Sequence, residues 1–391
     1  MIKNFSEKIK GDKIIWIVVS ILAIFSFLPI YSASSNFGNG MILSNLLKHV
    51  SIVFVGFLIM FFTHMIPYKY FKGLSVIGIP IIIVVLVFTS MQGTIIEGAN
   101  ASRWLKLPLI GLSFQPSSLA TVIIMVYTAF YLSKNQNKNI KFKYSILPLW
   151  FPLSIIVLLI LPSNLSTSVM IFIMTITLIF IGRYPIKYLF GIFSSGIFVF
   201  CLFIFLVKSY PNLFPNRVDT WSNRIENFFD PSKEESNYQI QRAKSAIANG
   251  SLFGVGAGKS TMKNILPQST SDFIFAIITE EYGIIGAGII LFLYTLLLFR
   301  IIVVSYKSVT DFGQLLALGV GLPIIFQAYI NMGVAVHLIP VTGQPLPLIS
   351  SGGTSIWMTF LAIGIVLSVS VNDREDLISS ENPLNILGEE V

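Results

Sequence analysis

The chain has 391 residues, 54% of them hydrophobic and 11% charged, with 26 Lys plus Arg against 18 Asp plus Glu for a formal charge of +8. Such a composition excludes a soluble globular domain and places the chain in lipid. The basic excess does not mark a nucleic-acid binder, because the Lys and Arg lie in short loops between apolar runs and form no basic face; a single cysteine, Cys201, excludes a disulfide framework and a thiolate metal cluster.

The first 13 residues are polar, and no small-residue cleavage site follows the apolar stretch after them, so that stretch reads as a retained helix. A spanning helix needs about 20 mostly apolar residues. Runs of that kind fall near 14–33, 49–66, 73–90, 115–132, 144–161, 165–182, 186–207, 272–302, 311–334 and 351–371. The predicted fold is an all-α membrane protein of ten transmembrane helices, with one large extracytoplasmic loop, 208–271, between the seventh and eighth. An even number of spans puts both termini on one face. Lys and Arg number 15 in the tails and loops of that face, 3 in the short loops of the other and 8 in the long loop. Positive charge is retained on the cytoplasmic side, so the termini are predicted cytoplasmic and the long loop external. Residues 1–371 form a single transmembrane domain, and 372–391 a short, acidic, disordered tail.

Candidate functional residues follow in chain order. Arg103 and Trp104 sit in the outer loop 91–114. Arg offers a planar fork suited to pyrophosphate, and Trp either a face for a sugar or an interfacial anchor. The long loop alone has soluble composition and is where function is expected, with Arg224, Tyr238 and Gln239 among its polar groups. Gly254, Gly256 and Gly258 before Lys259 and Ser260 fail the spacing of both nucleotide-binding glycine motifs. What survives is a turn whose N–H groups, with Lys259 and Lys263, face an anionic headgroup, or a plain loop.

Asp272 ends the long loop, with apolar residues immediately after it. It is either the N-cap of the eighth helix or a partly desolvated carboxylate suited to accept a proton from a sugar hydroxyl. Glu280 and Glu281 follow on the same helix, either hydrated above the hydrocarbon or forming a cation or headgroup site in a cavity. Three prolines and three glycines between Pro340 and Ser355 describe a rigid loop capping a cavity. His49, His64 and His337 are scattered, so no zinc set is identified.

Leu266-Pro267 with Asp272-Phe-Ile-Phe and Glu280-Glu281-Tyr-Gly283 resembles the signature of the SEDS family (shape, elongation, division and sporulation). The resemblance extends through Ala101-Ser-Arg103-Trp104, Gln115-Pro116-Ser117, Asn164 with Ser166-Thr167, Arg224, Asp230-Pro231, Tyr238-Gln239 and Thr342-Gly343-Gln-Pro-Leu-Pro with Gly352-Gly353. It covers nearly the whole chain in order, and the terminal motif is closer to the division branch than to the elongation branch. The resemblance implies polymerisation of lipid II into glycan strands on the outer face of the cytoplasmic membrane. It implies a class B penicillin-binding protein and other division membrane proteins as partners. Asp272 is then the general base, and Arg103, Trp104, Arg224, Tyr238, Gln239, Lys259, Lys263, Glu280 and Glu281 contact substrate, with Arg103 and Lys263 supporting the leaving pyrophosphate. A divalent cation, Mg or Mn, could share that task. Where the family has Glu and Lys after Gln-Pro-Ser, this chain has Ser118 and Thr121; where it has Glu and His before the base, this chain has Gln268 and Thr270. The competing readings are a transporter that flips lipid II, an elongation polymerase and a non-catalytic scaffold.

Overall fold

The computed structural model of the chain describes residues 10–34, 38–92, 95–96, 99–100, 104–106, 113–136, 140–209, 224, 228, 234–266 and 268–380. Helices stand at all the predicted apolar runs. They are α1 (Lys13–Phe25), α2 (Phe27–Ser34), α3 (Gly38–Met65), α4 (Phe71–Gln92), α5 (Pro116–Asn135), α6 (Phe142–Ser145), α7 (Phe151–Ile160), α8 (Leu165–Ile181) and α9 (Ile186–Ser209). After α10 (Glu234–Gly250) come α11 (Ile274–Lys307), α12 (Asp311–Ala335) and α13 (Gly353–Ser380). Eight segments are long and apolar enough to cross a membrane, while α8 and the apolar part of α9, Ile186–Phe198, are shorter. The chain is a helical, multi-pass membrane protein.

Local chemistry sets the helix ends. Pro116 occupies the first turn of α5, where its missing N–H costs nothing. The Asn164 side-chain Oδ1 accepts from the Thr167 N–H (3.3 Å) at the start of α8, and the Thr310 hydroxyl accepts from the Gly313 N–H (3.0 Å) at the start of α12. α6 and α7 are joined by a π-helical turn over Ile146–Trp150, and the Pro148 carbonyl, which finds no helical donor at Pro152 four residues on, takes the Tyr127 hydroxyl instead (2.6 Å).

At the centre, α12 packs on α5, α8, α11 and α13, and α13 packs along α3. Its side chains are buried nearly all round, from Leu315 to Ala335. The rim carries exposed Ile17, Ile24, Phe54, Phe62, Ile77 and Val84, the face that lipid covers.

Four features depart from the sequence reading. The segment taken as a loop contains α10, whose Ile240, Ala243, Ala246 and Gly250 form a buried stripe against α11, with Tyr238, Gln241 and Lys244 outside. The predicted disordered tail begins as helix, because α13 continues to Ser380; residues 381–391 lie outside the described residues. The outer loop after α4 carries two antiparallel two-residue ladders, Ile95–Ile96 with Ala99–Asn100 and Leu105–Lys106 with Ser113–Phe114.

The fourth departure is a break in α11. Gly283 leaves helical geometry there (φ 68°, ψ −172°), and the chain after α10 inserts its backbone into the gap. Ile284 and Ile285 N–H donate to the Ser251 and Leu252 carbonyls (3.0 and 3.3 Å), while Val255 and Gly256 N–H donate to the Glu280 and Glu281 carbonyls (2.9 and 3.1 Å). Groups orphaned by the break are thus satisfied across it. A Cβ on Gly250, Gly254 or Gly283 would collide with the Thr279, Glu281 or Leu252 carbonyl, so three of the glycines exist for backbone contact.

Candidate active site

Asp272 stands in the turn before α11, one residue ahead of the N-cap position, which Phe273 occupies. The capping role considered from sequence therefore does not explain it. The turn turns sharply at Gln268 (φ 56°), whose carbonyl accepts from the Ser271 N–H (3.0 Å). The carbonyls of the turn's last three residues are then held by other parts of the chain. Thr270 O accepts from the Ser351 N–H (2.9 Å) and hydroxyl (3.1 Å), Ser271 O from the Ser350 hydroxyl (2.6 Å), and Asp272 O from the Asn331 amide of α12 (2.7 Å).

The Pro- and Gly-rich loop that supplies Ser350 and Ser351 is itself pinned, as the sequence implied. Tyr294 donates to the Pro347 carbonyl and Gln327 to that of Pro345 (2.9 Å), and the Gln344 side chain donates to the Thr167 hydroxyl (2.9 Å). The Gln344 carbonyl receives the second hydrogen of the Asn331 amide (2.8 Å).

Turn and loop roof a cavity of about 890 Å³ between the ends of α5, α8, α12 and α13. Gln115, Asn164, Gln268 and Thr342 contribute a polar part, and Val122, Met125, Met170, Ile324 and Met358 an apolar one. Ser118 and Thr121 set hydroxyls in the wall. Asp272 and Arg224 are the charged side chains among the described lining residues. The two meet over Gly343. The point where a Cβ on that glycine would lie is 3.4 Å from Asp272 Oδ2 and 3.8 Å from Arg224 Nη1, and the same nitrogen donates to the Val341 carbonyl (3.4 Å). A carboxylate and a guanidinium facing one amphipathic cavity can take a proton from one group and support negative charge on another.

Trp104 also lines this cavity, whereas Arg103 lies outside the described residues. The other predicted contacts are not brought to it. Tyr238 is on α10 with the Arg242 guanidinium over its ring (5.0 Å), and Gln239 is beside it. Lys259 is exposed, and Lys263 Nζ donates to the Gly258 carbonyl (2.8 Å) and the Ser32 hydroxyl (3.4 Å). Glu280 is fully buried and accepts from the Ser260 hydroxyl, the Thr261 N–H and hydroxyl (3.2 and 3.0 Å) and the Met262 N–H (3.3 Å). Glu281, equally buried, accepts from the Ser32 hydroxyl and the Ser260 N–H (3.4 Å). These two buried acids clamp the chain that leads to the turn carrying Asp272, away from the cavity. The reading as substrate contacts is corrected for both.

Sequence reasoning missed Asn331, Gln344 and the roles of Ser350 and Ser351. For Asn331 one signal existed, an amide inside an apolar span. Among the described residues no three His, Cys, Asp or Glu side chains converge to hold a metal. Asp272 is the one carboxylate in the described lining, so a divalent cation there would be held by that carboxylate together with the phosphates of a substrate rather than by a protein cage.

Comparison with known proteins places the arrangement. The family model described as cell cycle protein, covering FtsW, RodA and SpoVE, matches residues 12–375. A probable peptidoglycan glycosyltransferase FtsW of Geobacter sp. (strain M18) is 30% identical over 382 residues, covering 94% of this chain and 99% of that protein. The corresponding protein of Nitrosomonas europaea is 32% identical over 359 residues, 88% of this chain and 89% of its own. Among solved structures, a chain of a peptidoglycan synthase complex superposes with a TM-score of 0.74 at 24% identity, covering 93% of this chain and 99% of its own. The rod shape determining protein RodA of Thermus thermophilus gives 0.65 at 22%, covering 93% and 97%. Both are similar in fold.

Proposed function

The chain belongs to the cell cycle protein family of FtsW, RodA and SpoVE, and from that premise we propose that it is a peptidoglycan glycosyltransferase that polymerises lipid II into glycan strands during cell division. The observation that carries this reading is the Asp272 carboxylate facing an amphipathic cavity beside Arg224. One lipid II enters with the 4-hydroxyl of its GlcNAc against Asp272, which accepts the proton as the oxygen attacks the anomeric carbon of the second. The bond from that carbon to the pyrophosphate oxygen breaks with inversion, and undecaprenyl pyrophosphate leaves. Arg224 supports the charge that develops on it, with Arg103 a second candidate. The Gln, Asn, Ser and Thr side chains of the wall suit the hydroxyl and acetamido groups of a sugar, and the apolar part suits the lipid.

The cavity face is external and the opposite face cytoplasmic, in line with the distribution of Lys and Arg. A class B penicillin-binding protein and other division membrane proteins are the partners this role requires. In a polymerisation assay with lipid II and the full chain beside its transpeptidase partner, Asp272→Asn is expected to lose about 10²- to 10⁴-fold in rate, the usual weight of a general base. Retained polymerisation by that variant would overturn the assignment. A wild-type chain that moves lipid II across liposomes and makes no glycan would point to the transporter instead.

A further inference from the structure

Asn331 stands near the end of α12, 1% exposed, with apolar neighbours along the helix. Its Nδ2 donates one hydrogen to the Asp272 carbonyl (2.7 Å) and the other to the Gln344 carbonyl (2.8 Å). Both partners can only accept, so the orientation of the amide is forced: exchanging its oxygen and nitrogen would set three oxygens against one another. Its Oδ1 is buried with no protein partner, so burying this amide is not offset by a full set of bonds.

One side chain therefore joins the main chain of the base to the main chain beside Gly343, the wall that the carboxylate and Arg224 share. Ser350 and Ser351 hold the two preceding carbonyls from the loop side. Asn331 is the contact that reaches the turn from α12, the helix packed at the centre of the molecule. From this we infer that Asn331 is a positioning residue for the reaction, setting the distance between Asp272 and the wall over which the acceptor hydroxyl approaches. The inference rests on the reading of Asp272 as base.

Misplacing a reacting group by about 1 Å can cost about a hundredfold in rate without weakening substrate binding. Asn331→Ala removes both donors; Asn331→Ser leaves a single hydroxyl donor. In the polymerisation assay with the full chain and its transpeptidase partner, Asn331→Ala is expected to lower kcat at least about tenfold, with KM for lipid II within about threefold. Asn331→Ser should recover part of the loss. A distant lipid-facing variant such as Phe62→Leu should leave both kcat and KM unchanged.

Wild-type kcat in Asn331→Ala would overturn the inference, and so would loss of the folded protein in both variants, which would make the amide a purely structural element. Asp272→Asn run alongside separates the two claims. If that variant still polymerises, the assignment of the base fails; if it is dead while Asn331→Ala matches wild type, only the positioning role fails.

Discussion

Gly343 adopts φ 69°, a conformation that costs an L residue on the order of 1 kcal/mol, and its bare Cα faces the gap between Asp272 and Arg224. A methyl there meets both side chains at ordinary contact distances, so Gly343→Ala should fold, with its midpoint of thermal unfolding in detergent lowered by a loss of about 1–2 kcal/mol. It would fill the space that an incoming hydroxyl needs between acid and cation. Polymerisation should fall at least about tenfold, and activity within twofold of wild type in a folded variant would show that the acceptor approaches elsewhere. Asp272 could be singled out because it ends a soluble loop before an apolar helix, but that position alone left a helix cap and a base both open, and the family resemblance chose between them. Asn331 could not be, since its work is done on two carbonyls 59 and 13 residues away. Glu280 and Glu281 misled for a related reason: composition records an acid near membrane depth and is blind to the hydroxyl and N–H donors that the fold delivers to it.

At the scale of the element, the long outer segment was read as an irregular loop because its mean composition is soluble. Its order comes from contacts with a broken helix instead. The stripe Ile240, Ala243, Ala246 and Gly250 was present in the sequence at helical spacing, but an amphipathic helix among polar residues has no partner until α11 supplies one. Within the glycine series, Gly254 is required by the close crossing at Gly283, where a Cβ would collide with the Glu281 carbonyl. Glu280 fastens this crossing. Glu280→Ala would strand the Ser260 hydroxyl and the Thr261 and Met262 N–H groups, for a loss on the order of 3 kcal/mol. Thermal unfolding in detergent should show the drop clearly, while Lys259→Ala on the exposed part of the same loop should leave the midpoint unchanged. Equal midpoints for both variants would mean that the clamp does not hold the segment.

Across the whole molecule, two ends are tied separately. Far from the cavity, Asp12 caps α1 through the Ile14 and Ile15 N–H groups (2.9 and 3.1 Å) and pairs with Arg300 of α11, while its own N–H donates to the Ser370 hydroxyl of α13 (2.9 Å). The start of α1 and the later part of α13 therefore share a face, as the even number of predicted spans requires. The turn carrying Asp272 joins the other ends of α11 and α12 to the loop before α13. Lys13, Lys69, Lys134, Lys187, Arg300 and Lys307 fall at helix ends or in connections that the alternation of spans assigns to the Asp12 side, and the retention of positive charge predicts that side to be the cytoplasmic one. The orientation can be tested in Cys201→Ser cells, which lack the native thiol. A cysteine replacing exposed Lys259 should react with a membrane-impermeant maleimide in intact cells, and one replacing exposed Lys307 only after permeabilisation. The reverse pattern would put Asp272 where a cell-wall precursor on the outer leaflet could not reach it, and would remove the enzymatic reading while leaving the fold untouched.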